Sequence, residues 1–242
     1  MATGVRSFFS AMRKLLSPLY RRVVRPGVAD AVRFASVSPR IAKILLLNFL
    51  HRSDYKRWGD SRNLETWWVE RTEKIAQLVP QRSRVIEFGA GRRQLEKFLD
   101  SSCSYVPSDL TDRGPGTIVC DLNRRPLQDF RQVGADTAVF GGVLEYILDL
   151  ESLVQWLSVQ FSFCVASYTY VVPVPSKAER FRDRLERLRF GYMNNYTEEE
   201  LVSLFEKSGF HCVKRESWTT QRLFLFARQP SVAPKPATSL SN

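Results

Sequence analysis

The chain has 242 residues, 44% hydrophobic and 12% aromatic, which suits one domain with additions and a full core, and excludes extended disorder except at the ends. Four cysteines (Cys103, Cys120, Cys164, Cys212) stand far apart with no C-x-x-C pair and only His51 and His211 beside them, so they read as reduced thiols of a cytosolic protein, not as a disulfide framework or a zinc site. The net charge of +11 is uneven: residues 1–60 carry 12 Lys+Arg against 3 Asp+Glu, and residues 61–242 carry 24 against 22.

The basic first quarter implies an anionic partner, either a membrane surface, nucleic acid or an acidic substrate; a solvated basic face is the plain alternative. Residues 5–24 place Phe8, Met12, Leu15, Leu16 and Leu19 at helical spacing among Arg13, Lys14, Arg21 and Arg22, with Pro18 near the end. The opening "MATGVRSFFSAMRKLL" has charges inside its apolar stretch and no clean cleavage site, and "IAKILLLNFL" (41–50) is too short to span a bilayer. The expected location is the cytoplasm, either free or peripheral on the inner face of the membrane. Further helices are predicted over 38–52 and 63–79, the latter stopped by Pro80. The expected organisation is a basic helical extension over 1–62, a main domain over 63–228, and a Pro/Ser-rich disordered tail over 229–242.

From 84 to 228 strand and helix signals alternate. Strands are predicted at 84–88, 104–108, 117–120, 136–140, 162–171, 210–216 and 221–228. Helical patterns fall at 92–100, 126–132, 149–159 and 197–208. This alternation predicts an α/β fold with a mainly parallel sheet covered on both faces. The last two strands are separated only by the "ESWTT" region and should pair as an antiparallel hairpin. Thr197 and Glu200 form a capping box, Leu201, Leu204 and Phe205 share one helix face, and Gly209 closes it.

Ligands of open α/β sheets bind beyond the carboxyl ends of the strands. "RVIEFGAGRRQLEKFL" (84–99) places Glu87 at such an end, before Gly89, Ala90 and Gly91; the glycines permit a tight turn and close approach to a ligand. Asp109 in "YVPSDL" can accept from two ribose hydroxyls, and Asp121 in "TIVCDL" from an adenine amino group. A dinucleotide would want a third glycine where Gln94 stands, and Glu87 would repel a pyrophosphate. The acid suits a ligand with a positive charge and no phosphate, as in S-adenosylmethionine.

The ordered set resembles the class I S-adenosylmethionine-dependent methyltransferases over roughly residues 63–228. "VIEFGAGRRQL", "YVPSDL" and "IVCDLNRRPL" resemble the first three motifs of that family. "ADTAVFGGVLEYILDLESLVQWL" resembles the stretch after the fourth strand, with Tyr146 where a histidine is usual. "NNYTEEELVSLFEKSGF" with "LFLFARQ" resembles the closing helix and hairpin. The resemblance implies a Rossmann-like three-layer α/β/α sandwich with a seven-stranded, mainly parallel sheet and an antiparallel last strand. It implies S-adenosylmethionine as cofactor, held by Glu87, Gly89, Ala90, Gly91, Asp109, Leu110, Asp121, Leu122, Gly141 and Gly142.

Methyl transfer is an in-line displacement that an enzyme promotes chiefly by positioning, and an oxygen nucleophile also needs a base. Glu145 and Tyr146 follow the fourth strand, where the methyl group should lie; a helix residue facing away is the plain reading of Glu145. Tyr168, Tyr170, Asn194 and Asn195 fall where substrate loops usually sit, or are ordinary sheet and loop residues. Segment 176–190 carries Phe181, Leu185 and Leu188 in one stripe among arginines, as a substrate lid or a solvated amphipathic helix would. The fourth strand lacks the Asn/Asp-Pro-Pro-aromatic tetrad of amino methylation on bases or glutamine. The expected acceptor is a small molecule or glycan, anionic or lipid-linked, methylated at oxygen. The alternatives are an RNA methyltransferase whose basic arm tracks phosphates, and a binding protein of this fold without catalysis.

Overall fold

The computed structural model describes residues 39–64 and 68–228. The helix expected over 5–24, most of the basic extension and the tail 229–242 lie outside the described residues. The chain divides into a larger unit of 47–173 with 192–228 and a smaller one that includes 39–46 and 174–191. The helices are α1 (Pro39–Phe49), α2 (Tyr55–Trp58), α3 (Val69–Leu78), α4 (Leu150–Gln160), α5 (Lys177–Phe190) and α6 (Glu198–Lys207). No helix among the described residues is long and apolar enough to cross a membrane.

Seven strands form one sheet: β1 (Arg84–Phe88), β2 (Ser104–Asp109), β3 (Ile118–Val119), β4 (Thr137–Phe140), β5 (Phe163–Tyr168), β6 (Phe210–Trp218) and β7 (Gln221–Arg228), in the order β3-β2-β1-β4-β5-β7-β6. The pairs from β3 through β5 are parallel, and β7 runs antiparallel to both β5 and β6. The predicted α/β architecture and terminal hairpin are both present. The order reverses between β1 and β4, which puts a topological switch point after β1.

Side chains alternate across this sheet with the period of a strand. Ile86, Phe88, Ala138, Phe140, Cys164, Ala166, Tyr168, Phe224 and Phe226 enter one core with Leu153 and Leu157 of α4 and Leu201 and Phe205 of α6. Val85, Val139, Val165 and Leu223 enter the other with Ile75 and Leu78 of α3. Both faces are therefore covered, and the near-continuous apolar runs of β1, β4 and β5 follow from burial on two sides. Phe205 stacks on Phe226 at 3.9 Å between ring centroids.

The helix signals at 149–159 and 197–208 correspond to α4, capped by Asp149, and α6, capped by the Thr197–Glu200 box. The pattern at 176–190 is α5, opened by Ser176 and closed by Gly191. Two expected helices are absent. Over 92–100 only one 3-10 turn forms, at Leu95–Lys97, because Arg93 adopts φ 54 and breaks the right-handed path. Over 126–132 only Arg131–Val133 turns, because Asp129 caps Arg131 and Phe130 N–H donates to the Gln160 side chain. The strand expected to reach 171 stops at Tyr168. Beyond it the Thr169 and Val171 N–H groups leave the sheet, for the Glu145 side chain and the Tyr196 carbonyl.

Deleting the Phe205 ring should cost about 3–5 kcal/mol, as other large-to-small core changes do. Losing the cap in Thr197→Ala should cost about 1 kcal/mol. Urea midpoints of both variants at constant slope measure this. A Phe205→Ala loss no larger than that of Thr197→Ala would contradict the packing described.

Candidate functional site

β1 ends in a turn where Gly89, Gly91 and Arg93 all take positive φ, at 76°, 51° and 54°. The Gly89 and Ala90 N–H groups donate to the Ser108 carbonyl, and Gly91 N–H donates to Asp109 Oδ2 at 2.8 Å. The turn is thus folded onto the end of β2. A Cβ at Gly89 would lie 2.5 Å from Val143 Cγ2, so that glycine is required by the β4 loop as well as by φ. At Gly91 the nearest contact would be an ordinary 3.6 Å to Leu64, and φ alone sets the requirement.

A cleft opens beside this turn, lined by Leu64, Trp68, Arg71, Thr72, Glu87, Gly89–Gly91 and Gly141, among others. It holds two buried ionisable groups, an acid and an arginine. Glu87 accepts from the Tyr105 hydroxyl at 2.6 Å. Burial pushes its carboxyl from the usual 4.5 up to about 8; the Tyr105 bond and the Arg71 charge oppose this, while Asp109 and Glu96 add to it. Arg71, on α3, is 5% exposed. Its guanidinium donates to the Gly141 carbonyl at 3.0 Å and to Gln221 at 3.4 Å, and its Nε–H has no partner among the described residues. Burial lowers its pKa, and the Glu145, Tyr146 and Glu87 charges resist. A Cβ at Gly142 would sit 2.5 Å from Arg71 Nη1, so this glycine makes room for the arginine.

The residues named from the sequence fall into three groups. Glu87, Gly89, Ala90, Gly91 and Gly141 line the cleft. Asp109 adjoins it through Gly91 and also accepts from Thr111 N–H and Arg113, at 3.3 and 3.2 Å. Leu110 is half-buried after it. Asp121 lies at the end of β3, where it accepts from the Ser53 hydroxyl at 2.6 Å, the Tyr55 hydroxyl at 2.8 Å and Asn123 N–H at 3.0 Å. Leu122 is a core residue.

The β4 loop carries the second group. Glu145 is 1% exposed; its Oε1 accepts from Thr169 N–H at 2.8 Å, and its Oε2 has no hydrogen-bond partner among the described residues. The Tyr146 ring stands edge-on to Trp58 at 4.8 Å and to Tyr192 at 5.5 Å, and burial raises its pKa. Tyr168 and Asn194, the third group, are buried beneath this loop. The Tyr168 hydroxyl donates to Asn194 Oδ1 at 2.6 Å, and the Asn194 amide donates to the Leu144 and Ile147 carbonyls. They brace the loop that carries Glu145. Tyr170 packs under the Arg222 guanidinium, and Asn195 is exposed.

Sequence reasoning missed Arg71 and the segment 53–64. The signal for Arg71 was a cation on the apolar face of the predicted helix, one turn before Ile75. Segment 53–64 is a strap along the carboxyl edge of the sheet. Besides Ser53 and Tyr55 on Asp121, its Trp58 and Gly59 carbonyls accept from Arg113, and its Ser61 and Leu64 carbonyls from Arg92. Arg57 lies over the Trp58 ring at 4.3 Å.

Residues 55–215 match a family profile described as a methyltransferase domain. Among solved structures the chain is similar to a candidate O-methyltransferase of Nostoc punctiforme PCC 73102, at 15% identity over 82% of this chain and 71% of that one, with a TM-score of 0.56. It is similar to the mitomycin 7-O-methyltransferase MmcR, at 17% identity over 88% and 69%, TM-score 0.55. It is also similar to the 1,6-didemethyltoxoflavin-N1-methyltransferase of Burkholderia thailandensis, solved with S-adenosylhomocysteine, at 15% identity over 78% and 89%, TM-score 0.53. At such identities the likeness carries the fold. No curated protein sequence matches the chain.

The Glu87 environment has a consequence for stability. Between pH 4.5 and about 8 the folded chain keeps this carboxyl protonated while the unfolded chain ionises it. The fold therefore holds the extra proton, and the stability this gives is lost as pH rises through about 8. Melting temperatures of the native chain and Glu87→Gln should converge at pH 5 and separate by pH 8.5, with the variant higher. Parallel pH profiles would contradict the buried, protonated carboxyl.

Proposed function

The chain belongs to the methyltransferase domain family, as a class I S-adenosylmethionine-dependent methyltransferase, and we propose that it methylates an oxygen of a small-molecule or glycan-type acceptor. The observation that carries the reading is the pairing of a buried acid, Glu87, with a buried arginine, Arg71, lining one cleft with the Gly89–Gly91 turn. The amino-acid end of the cofactor carries an ammonium and a carboxylate. Glu87 suits the first, and Arg71, with its unpartnered Nε–H, suits the second. The left-handed turn brings backbone rather than side chain to the cleft. Asp109 stands next to it as acceptor for the ribose hydroxyls, and Asp121 farther along the edge for the adenine amino group.

The bound cofactor would supply an electrophilic methyl group on a sulfonium. The chain's own residues then have three tasks. Arg71 and Glu87 orient the ligand by its charged end. Gly141 and Gly142 keep the β4 loop low, so that it approaches the cleft without side chains. Glu145 offers Oε2 as acceptor for the proton of an attacking hydroxyl, while its Oε1 is held by Thr169 N–H. Two of the similar structures are named as O-methyltransferases and one as an N-methyltransferase; the preference for oxygen rests on Glu145 as a base.

Two substitutions test the assignment. Arg71→Met should lose about 1.5–3 kcal/mol of S-adenosylhomocysteine affinity, as for a charge-assisted hydrogen bond. Its affinity for methylthioadenosine, which lacks the amino-acid end, should be unchanged by calorimetry. Equal losses for both ligands would mean that Arg71 only supports the fold. Glu145→Gln should lower kcat about 10²–10⁴-fold once an acceptor is found, the range of a general base. Its cofactor affinity should stay within a factor of about three. Full activity in Glu145→Gln would remove the base from this mechanism.

A further inference from the structure

We propose that the strap of residues 53–64 is a latch over the cofactor site, held shut by the Ser53 and Tyr55 hydroxyls on Asp121, and that its release limits cofactor exchange. The inference rests on the cofactor reading above and adds to it the regulation of that site.

The strap is fastened to successive strand ends. Arg92 after β1 holds its Ser61 and Leu64 carbonyls, and Arg113 after β2 holds its Trp58 and Gly59 carbonyls. Asp121 after β3 holds its Ser53 and Tyr55 hydroxyls. Trp58 packs on Tyr146 after β4. Leu64 and Arg92 also border the cleft, so the strap forms part of its wall. A nucleoside moving from Gly91 toward Asp121 would meet this segment along its whole path.

The strap is held mainly by polar contacts, beside the packing of Trp58 on Tyr146. Neither α2 nor the Ser61–Asn63 turn contains a buried residue, whereas strands β1 and β4 are almost wholly buried. A four-residue helix has no stability of its own. Hydrogen bonds at an exposed edge are exchangeable with water, which places such a segment at the low-stability end of a fold. The latch contacts are the specific element. Asp121 Oδ1 accepts from both Ser53 and Asn123 N–H, which fills its two lone-pair positions, and Oδ2 accepts from Tyr55. Three of the four lone-pair positions are thus taken, and an adenine amino group reaching Asp121 has the second position of Oδ2, beside the strap's Tyr55 hydroxyl. Burial and the bond to Asp121 push the Tyr55 phenol up to about 12, so it remains a donor through the neutral range.

Stopped-flow mixing of the full chain with S-adenosylhomocysteine, followed by tryptophan fluorescence with Trp58 on the strap, tests this. The observed rate of the native chain should saturate as ligand rises, at the rate of strap release. In Ser53→Ala/Tyr55→Phe the ceiling should rise about thirty-fold, the combined effect of two net hydrogen bonds at about five-fold each. Should the double variant fold poorly, Tyr55→Phe removes only a hydroxyl from a half-exposed ring and should raise the ceiling in the same direction. Binding whose rate grows linearly with ligand, or a ceiling equal in native and variant chains, would overturn the latch alone. Absence of ligand binding by the native chain would overturn the cofactor reading and the latch with it.

Discussion

The hydrogen bond from Gly91 N–H to the Asp109 carboxylate governs the geometry of the site. It ties a turn with three left-handed residues to the end of the neighbouring strand. An unsupported run of such conformations is costly, most of all at Arg93, which has a Cβ. With the turn pinned, β1 ends abruptly, no α-helix starts at 92, and the backbone of 89–91 lies open to the cleft. Asp109 is held in turn by Arg113, which also grips the strap. One carboxylate thus joins the turn, the second strand and the segment that crosses the sheet edge.

The ionisable groups around the cleft form a second layer of organisation. Arg71, Glu87 and Glu145 are all buried, and such groups are costly unless they are paired or matched by a ligand. Each retains something unspent: the Arg71 Nε–H, the protonated carboxyl of Glu87, and the Oε2 of Glu145. A site that keeps three such groups sacrifices stability for function. Tyr168 and Asn194 show the opposite economy, with their polar atoms used to brace the β4 loop.

Much of this was legible in the sequence. The strand ends at Phe88, Asp109 and Phe140 coincide with acids or glycines because ladders stop where special backbone begins. The capping box at Thr197 and the β6–β7 hairpin were readable because their signals are local. The failures have physical causes. "RRQLEKFL" has helical spacing, but Arg93 is turned left-handed by the preceding cradle, which spacing does not encode. Tyr168 and Asn194 have the chemistry of substrate contacts, and both are buried with their polar atoms bonded beneath the β4 loop. The strap carries little apolar pattern because it binds through carbonyls and hydroxyls, and Arg71 was hidden by the rule that a helix's apolar face holds no cation.

The central claim is that the cleft beside Gly89–Gly91 holds a phosphate-free adenosine ligand with a zwitterionic end. Calorimetric titration of the native full-length chain with S-adenosylhomocysteine, and separately with NADH, tests it most directly. Saturable one-to-one binding of the first and none of the second is expected. Tighter binding of NADH, or no binding of S-adenosylhomocysteine, would contradict it.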